Sequence, residues 1–152
     1  MKKSKRSDVD PFIVMDVMEA ARIAEENGKH IIHMEVGQPG TPAPKIARDF
    51  ITNEINKNNL GYTVSLGLPD LRKKISNLYG EWYNIEVNPK RVVVTTGSSG
   101  AFILSFSALF DSGDRVGIGS PSYPSYRQIL KSLSLETVDI QTKLENRFQP
   151  IP

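Results

Sequence analysis

The chain has 152 residues, 39% hydrophobic and 24% charged, with 19 basic side chains against 17 acidic ones. These proportions allow a folded domain with a core and exclude a disordered polyelectrolyte. A net charge of +2, with no basic stripe interleaved with aromatics, argues against nucleic acid, and the absence of cysteine excludes disulfides, thiolate catalysis and cysteine metal sites.

The basic cluster Lys2, Lys3, Lys5 and Arg6 reads as a solvated terminus, since Asp8 and Asp10 interrupt it and no apolar targeting run follows. Pro11 opens a helical pattern carried by Ile13, Val17, Ala20, Ala21 and Ala24, closed by the capping pair Asn27-Gly28. Ile31 to Val36 has the look of a short strand. The eight residues from Gly37 to Pro44 hold three prolines and two glycines, so neither a helix nor a central strand continues there. A second helix is expected from Pro44 or Lys45, with Ile46, Phe50, Ile51 and Ile55 on its apolar face, ending at Asn58-Asn59. Pro69 sits in the first turn of a third, whose apolar face carries Leu71, Ile75, Leu78 and Trp82. In Asp70-Leu71-Arg72 the acid favours the helix dipole, the leucine is expected in the core and the arginine at the surface.

From Arg91 onward the pattern alternates. Arg91 to Thr95 is a β-branched run, Ala101 to Phe110 an apolar helix, and Val116 to Gly119 a second strand. A helix near Tyr123 to Ser132 and a strand from Leu135 to Ile140 complete a β-α-β-α-β order, which implies a parallel or mixed sheet covered by helices. A sheet that stops after that strand has an open edge, so the chain is expected to be truncated, with an exposed apolar surface where more of the domain would dock. The apolar run 101–110 is about half a membrane span, which leaves the cytoplasm as the default location. His30 and His33 flank the first strand-like run without a spaced acidic partner and read as surface or satisfied histidines, not ligands, and Glu25-Glu26 as a solvated face.

Gly97-Ser98-Ser99-Gly100 lies between a strand and a helix start. Several backbone N–H groups converge there under the positive end of the helix dipole, so a phosphate dianion fits with no cation nearby. The glycines allow close approach and the serine hydroxyls can donate, each charge-assisted bond contributing roughly 1.5–3 kcal/mol. The same four residues equally describe a plain turn with a serine cap. They are neither a nucleotide P-loop, because the Gly-Lys-Ser/Thr end is missing, nor a dinucleotide fingerprint, because the glycine spacing differs.

Six segments occur in order: Val36-Gly37-Gln38-Pro39, Gly61-Tyr62-Thr63, Gly67-Leu68-Pro69-Asp70-Leu71-Arg72, Val94 to Ala101, Asp111 to Val116, and Pro121-Ser122-Tyr123-Pro124-Ser125-Tyr126. This series resembles the class I/II aminotransferases of pyridoxal-phosphate (PLP) fold type I, the aspartate aminotransferase superfamily, from about Pro11 to Phe148. The resemblance implies an incomplete α/β fold. Residues 1–45 would be an N-terminal arm and small-domain segment, and 46–152 the first part of the PLP-binding large domain, with a mixed sheet and helices on both faces.

It also implies roles. Ser98 and Ser99, with Gly97, Gly100 and Ala101, match the loop that cups the PLP phosphate, and Tyr123 the aromatic stacked on the pyridine ring. Tyr62 matches a tyrosine that reaches the phosphate of the partner subunit in a homodimer, or is a buried or capping aromatic. Gly37 matches the glycine whose loop meets the substrate carboxylate, or is a turn glycine. Tyr126 reads as a packing residue of the next helix.

The family's Schiff-base lysine lies in a Ser-x-x-Lys context that this sequence lacks, so no catalytic residue is assigned. The asparagine, aspartate and tyrosine that address the coenzyme ring are unmatched too, as are the arginines for the phosphate and the substrate carboxylate. The implied activity is amino-group transfer between an amino acid and a 2-oxo acid by the parent protein, with the 152-residue chain inactive alone. A PLP-dependent lyase of the same fold, or a non-catalytic truncated paralogue binding a phosphate ligand or a partner chain, are the alternatives. No metal, nucleic acid or membrane is expected.

Overall fold

The computed structural model describes residues 2–151. Its regular elements are helices α1 (Ile13–Glu26), α2 (Lys45–Ile55), α3 (Pro69–Tyr83), α4 (Gly97–Leu109) and α5 (Ser125–Ser132), strands β1 (Arg115–Ser120) and β2 (Glu136–Gln141), and three short 3-10 turns. Two compact units result: the described residues up to Glu35 together with those from Thr96 onward, and Val36–Thr95.

In the first unit β1 and β2 pair in parallel, from Arg115 opposite Glu136 to Ser120 opposite Gln141. Parallel neighbours need a crossover. Helix α5 supplies it and buries Ile129 and Leu130 with Leu135, the start of a small core. Two turns are stapled together at one end of the sheet: Gly113 N–H donates to Ser134 O at 2.8 Å, and Glu136 N–H to Asp114 O at 2.8 Å. An ion pair between Arg127 and Asp139 ties α5 to β2. Helix α1 ends where its pattern breaks, with Asn27 Nδ2 donating to Ile23 O at 2.8 Å and Gly28 at φ +79°.

Helix α4 is apolar on every side, as a helix enclosed by protein is. Phe102, Phe106 and Phe110 are half-buried on the face toward α5, while Ile103, Leu104 and Leu109 are 43%, 60% and 72% exposed. The expected uncovered apolar surface is therefore present.

In the second unit α3 carries the packing. Pro69 is at its first turn, and Asn84 closes it in the left-handed region at φ +52°. Ser76 is buried and its hydroxyl donates to Val87 O. Gly67, at φ +97°, meets Val94 so closely that any Cβ there would lie 2.5 Å from Val94 Cγ2. Val94 N–H donates to Leu66 O at 3.1 Å, and Arg72 Nε to Val92 O at 2.7 Å. Arg72 is thus a tether for residues 92–94 and not a free surface arginine, while Leu71 is 43% exposed and outside any core.

Two expected strands are not formed. Residues 31–36 are irregular with a bend at 35–36, and 92–95 are extended without a ladder after a 3-10 turn at Pro89–Arg91. Both have strand-like composition, but a strand exists only when a neighbour takes up its N–H and C=O groups. The order from residue 91 is therefore α-β-α-β. Helix α4 starts at Gly97 and not Ala101, so the small residues form its first turn, α5 starts two residues after Tyr123, and α2 stops at Ile55.

Candidate functional site

The candidate phosphate site is the first turn of α4. Thr96 precedes it without a side-chain cap, and the first amides of a helix have no intrahelical carbonyl to meet. Among the described residues, no carbonyl outside the helix accepts from the N–H of Ser98 or Ser99. Both serines are exposed, while Gly100 and Ala101 are half-buried. Gly97 turns the chain into the helix at φ +77°, with open space where a Cβ would be. Donors and dipole converge on a point that an anion can reach.

A cleft of about 510 Å³ runs from Ser99 along Phe12, Ser125, Gln128 and Ile129. Ser125 Oγ is buried without a hydrogen-bond partner, and so is Ser122 Oγ. Such orphaned hydroxyls are costly unless a ligand or water completes them. A second cleft of about 470 Å³, which shares Gln128 with the first, is lined by Ser122, Arg127, Lys131 and Asp10. Its cations face acids, Arg127 against Asp139 and Lys131 Nζ 3.9 Å from Asp10 Oδ2, so the charge there is already balanced.

Tyr123 is 52% exposed. Its ring is held edge-on by Phe12, centroids 6.0 Å apart at 77°, and by Tyr126, 5.5 Å apart at 70°. Half of its surface thus remains open to a flat ring. The Ser98 and Ser99 amides for a dianion, an exposed aromatic for a pyridine ring and the buried Ser125 hydroxyl suit a phosphorylated aromatic coenzyme such as PLP.

Gly97, Ser98, Ser99, Gly100 and Tyr123 belong to the first unit, and Gly37 and Tyr62 to the second. Gly37 is exposed in a three-residue turn closed by Gln38 N–H to Val36 O at 2.9 Å, with nothing within 4 Å of a Cβ. Tyr62 is fully exposed in an irregular segment.

A separate polar cluster lies behind α1, where sequence reasoning saw solvated side chains. His33 Nδ1 is 2.6 Å from Glu35 Oε1, and its Nε2 is 3.0 Å from Glu25 Oε1. The Glu35 carboxylate, then that of Glu25, raises the imidazole pKa to about 9, and His33 in turn lowers that of Glu35. Arg22 binds Glu19 and Glu26 beside it and lowers the Glu19 pKa. Sequence spacing hid this cluster because Glu25 and His33 lie eight residues apart, across the end of α1. Phe12 and Ser125 were also missed as site residues, and their only sequence signal is proximity to a helix start.

A parallel β-α-β pair entered through helix α4 is part of the framework of the PLP-dependent transferases of fold type I. More narrowly, the chain belongs to the class I and II aminotransferase family, whose model matches residues 29–151. It is 45% identical over 145 residues to the valine–pyruvate aminotransferase of Mycobacterium tuberculosis, covering 95% of this chain and 37% of that protein. A crystal structure of an aminotransferase from Mycobacterium tuberculosis superimposes with TM-score 0.92 at 43% identity, over 99% of this chain and 39% of that one. A solved protein of Silicibacter pomeroyi gives TM-score 0.86 at 60% identity, over 100% of this chain and 38% of that one. The chain thus spans somewhat more than a third of the length of these relatives.

Proposed function

We propose that the protein carrying this chain is a PLP-dependent aminotransferase, moving an amino group between an amino acid and a 2-oxo acid. The observation that carries the reading is the start of α4, where, among the described residues, the Ser98 and Ser99 amides meet no carbonyl outside the helix. Gly97 and Gly100 let the backbone approach the phosphate, and Tyr123 orients the pyridine ring by stacking. In the same reading the Gly37 loop meets the substrate carboxylate, and Tyr62 reaches the coenzyme phosphate of a second subunit in a homodimer. When bound, the coenzyme supplies an electron-withdrawing ring that stabilises negative charge at the substrate Cα.

The residues of this chain bind and orient; the sequence holds no Ser-x-x-Lys lysine to move the proton. We therefore expect the 152-residue chain to be inactive alone, and the larger protein to transaminate by a ping-pong route. A cytoplasmic location belongs to the same proposal. Valine with pyruvate is the first donor and acceptor pair to try, because a relative 45% identical bears that activity in its name. The test is to incubate the larger protein with PLP, valine and pyruvate and follow alanine formation, with aspartate and other donors in parallel. Bound PLP and a donor-dependent turnover support the proposal; a protein that binds no PLP overturns it.

A further inference from the structure

Six aromatic rings of the first unit form an unbroken series. Phe12 meets Tyr123 at 6.0 Å, Tyr123 meets Tyr126 at 5.5 Å, and Tyr126 meets Phe102 at 4.6 Å. Phe102 then meets Phe106 at 5.5 Å, and Phe106 meets Phe110 at 6.0 Å. Phe102 and Phe106, four residues apart, share one face of α4, and Phe110 follows at its C-cap. Phe102 is also one turn beyond Ser98. The helix that offers its first amides to an anion thus carries, one turn on, the ring against which Tyr126 and then Tyr123 are set.

We infer that Phe12 and Phe102 are positioning residues for the coenzyme: Phe102, through Tyr126, fixes how far the Tyr123 ring stands from the α4 amides, and Phe12 holds that ring from the side of the N-terminal arm. This inference rests on the PLP reading above. A phosphorylated pyridine is a rigid body, so its two anchors must keep one separation. A Tyr123 ring half-open to solvent, with several rotamers available, does not keep it unaided. Edge-to-face contacts with Phe12 at 77° and with Tyr126 at 70° restrict that ring, and Tyr126 is itself set at 60° to Phe102. Phe12 lies just before α1, and so couples the arm to the ring-binding end of the site.

The test uses the whole protein and three probes: PLP, inorganic phosphate, and the visible circular dichroism of bound PLP, which reports how the ring is held. Phe12→Ala is expected to weaken PLP roughly three- to tenfold, about 0.7–1.4 kcal/mol at ~1.4 kcal/mol per decade. It should also reduce the induced dichroism while leaving phosphate affinity unchanged. Phe12→Tyr, which keeps the ring, should restore both signals, and Phe102→Leu, which keeps the bulk and loses the ring, should repeat the Phe12→Ala pattern. If the wild type binds PLP but Phe12→Ala and Phe102→Leu change neither affinity nor dichroism, the inference fails and the PLP reading stands. Equal weakening of PLP and phosphate also overturns it, since the damage then lies in the cradle. A wild type that binds neither probe refutes the PLP reading itself.

Discussion

Gly67→Ala tests the packing inside the second unit. Gly67 adopts φ +97°, and its missing Cβ would lie 2.5 Å from Val94 Cγ2 and 2.7 Å from Val94 Cβ. The Val94 Cβ is fixed by its own backbone, so a rotamer change relieves only part of the clash. Holding a residue with a Cβ in the left-handed region costs about 1–2 kcal/mol. Overpacking adds about 1–3 kcal/mol, and the stiffer unfolded chain offsets about 0.4–1 kcal/mol. The expected loss is thus about 2–4 kcal/mol. Gly113 supplies the control, because it has the same φ of +97° with nothing within 4 Å. Gly113→Ala should carry the backbone strain alone, about 0.5–1.5 kcal/mol. Urea denaturation followed by far-ultraviolet circular dichroism, with Trp82 fluorescence as a second probe for Val36–Thr95, measures both. Equal destabilisation by the two substitutions would refute the close approach of Gly67 to Val94.

The other expectations concern charge. Ser99→Asp places a carboxylate in the first turn of α4 and should stabilise the protein by about 0.3–1 kcal/mol, while weakening PLP roughly ten- to a hundredfold. Thermal melts and a PLP titration check the two signs, and a variant that gains stability yet keeps its PLP affinity contradicts the site. His33 is held at a pKa of about 9, above its ordinary 6.5, so its contribution is complete below pH 6.5 and is lost as pH rises toward 9. That of Glu35, whose pKa is lowered, is present above pH 4.5 and disappears as pH falls through the depressed value. An NMR titration of the His33 imidazole should give a midpoint near 9, and His33→Gln should flatten the alkaline fall in stability; a midpoint at 6.5 refutes the clasp.

What the sequence made legible follows from where the information lies. Helix α3 was readable because Pro69 and the spacing of Ile75 and Leu78 are local signals, and β1 and β2 because each is bounded by turn residues. Residues 31–36 and 92–95 misled, since strand formation depends on a neighbour that a single segment does not encode. The start of α4 was set four residues late because glycine and serine suggest a turn, although at a helix start both are tolerated. The glycine-serine loop and Tyr123 stood out as motif positions. Phe102 did not, because α4 is apolar all round and periodicity cannot say which face meets Tyr126, and Phe12 and Ser125 had no signal beyond proximity to a helix start. His33 was misjudged for a similar reason: its partner Glu25 is near only after α1 has ended and the chain has turned back.

The central claim is that the amides opening α4 receive the coenzyme phosphate. It is tested most directly by backbone amide NMR of the isotope-labelled protein, titrated with PLP and, separately, with pyridoxal lacking the phosphate. The expected result is a large shift of the Ser98 and Ser99 amide resonances with PLP and none there with pyridoxal. Identical spectra for the two compounds at these residues, or phosphate-dependent shifts confined elsewhere, would contradict it.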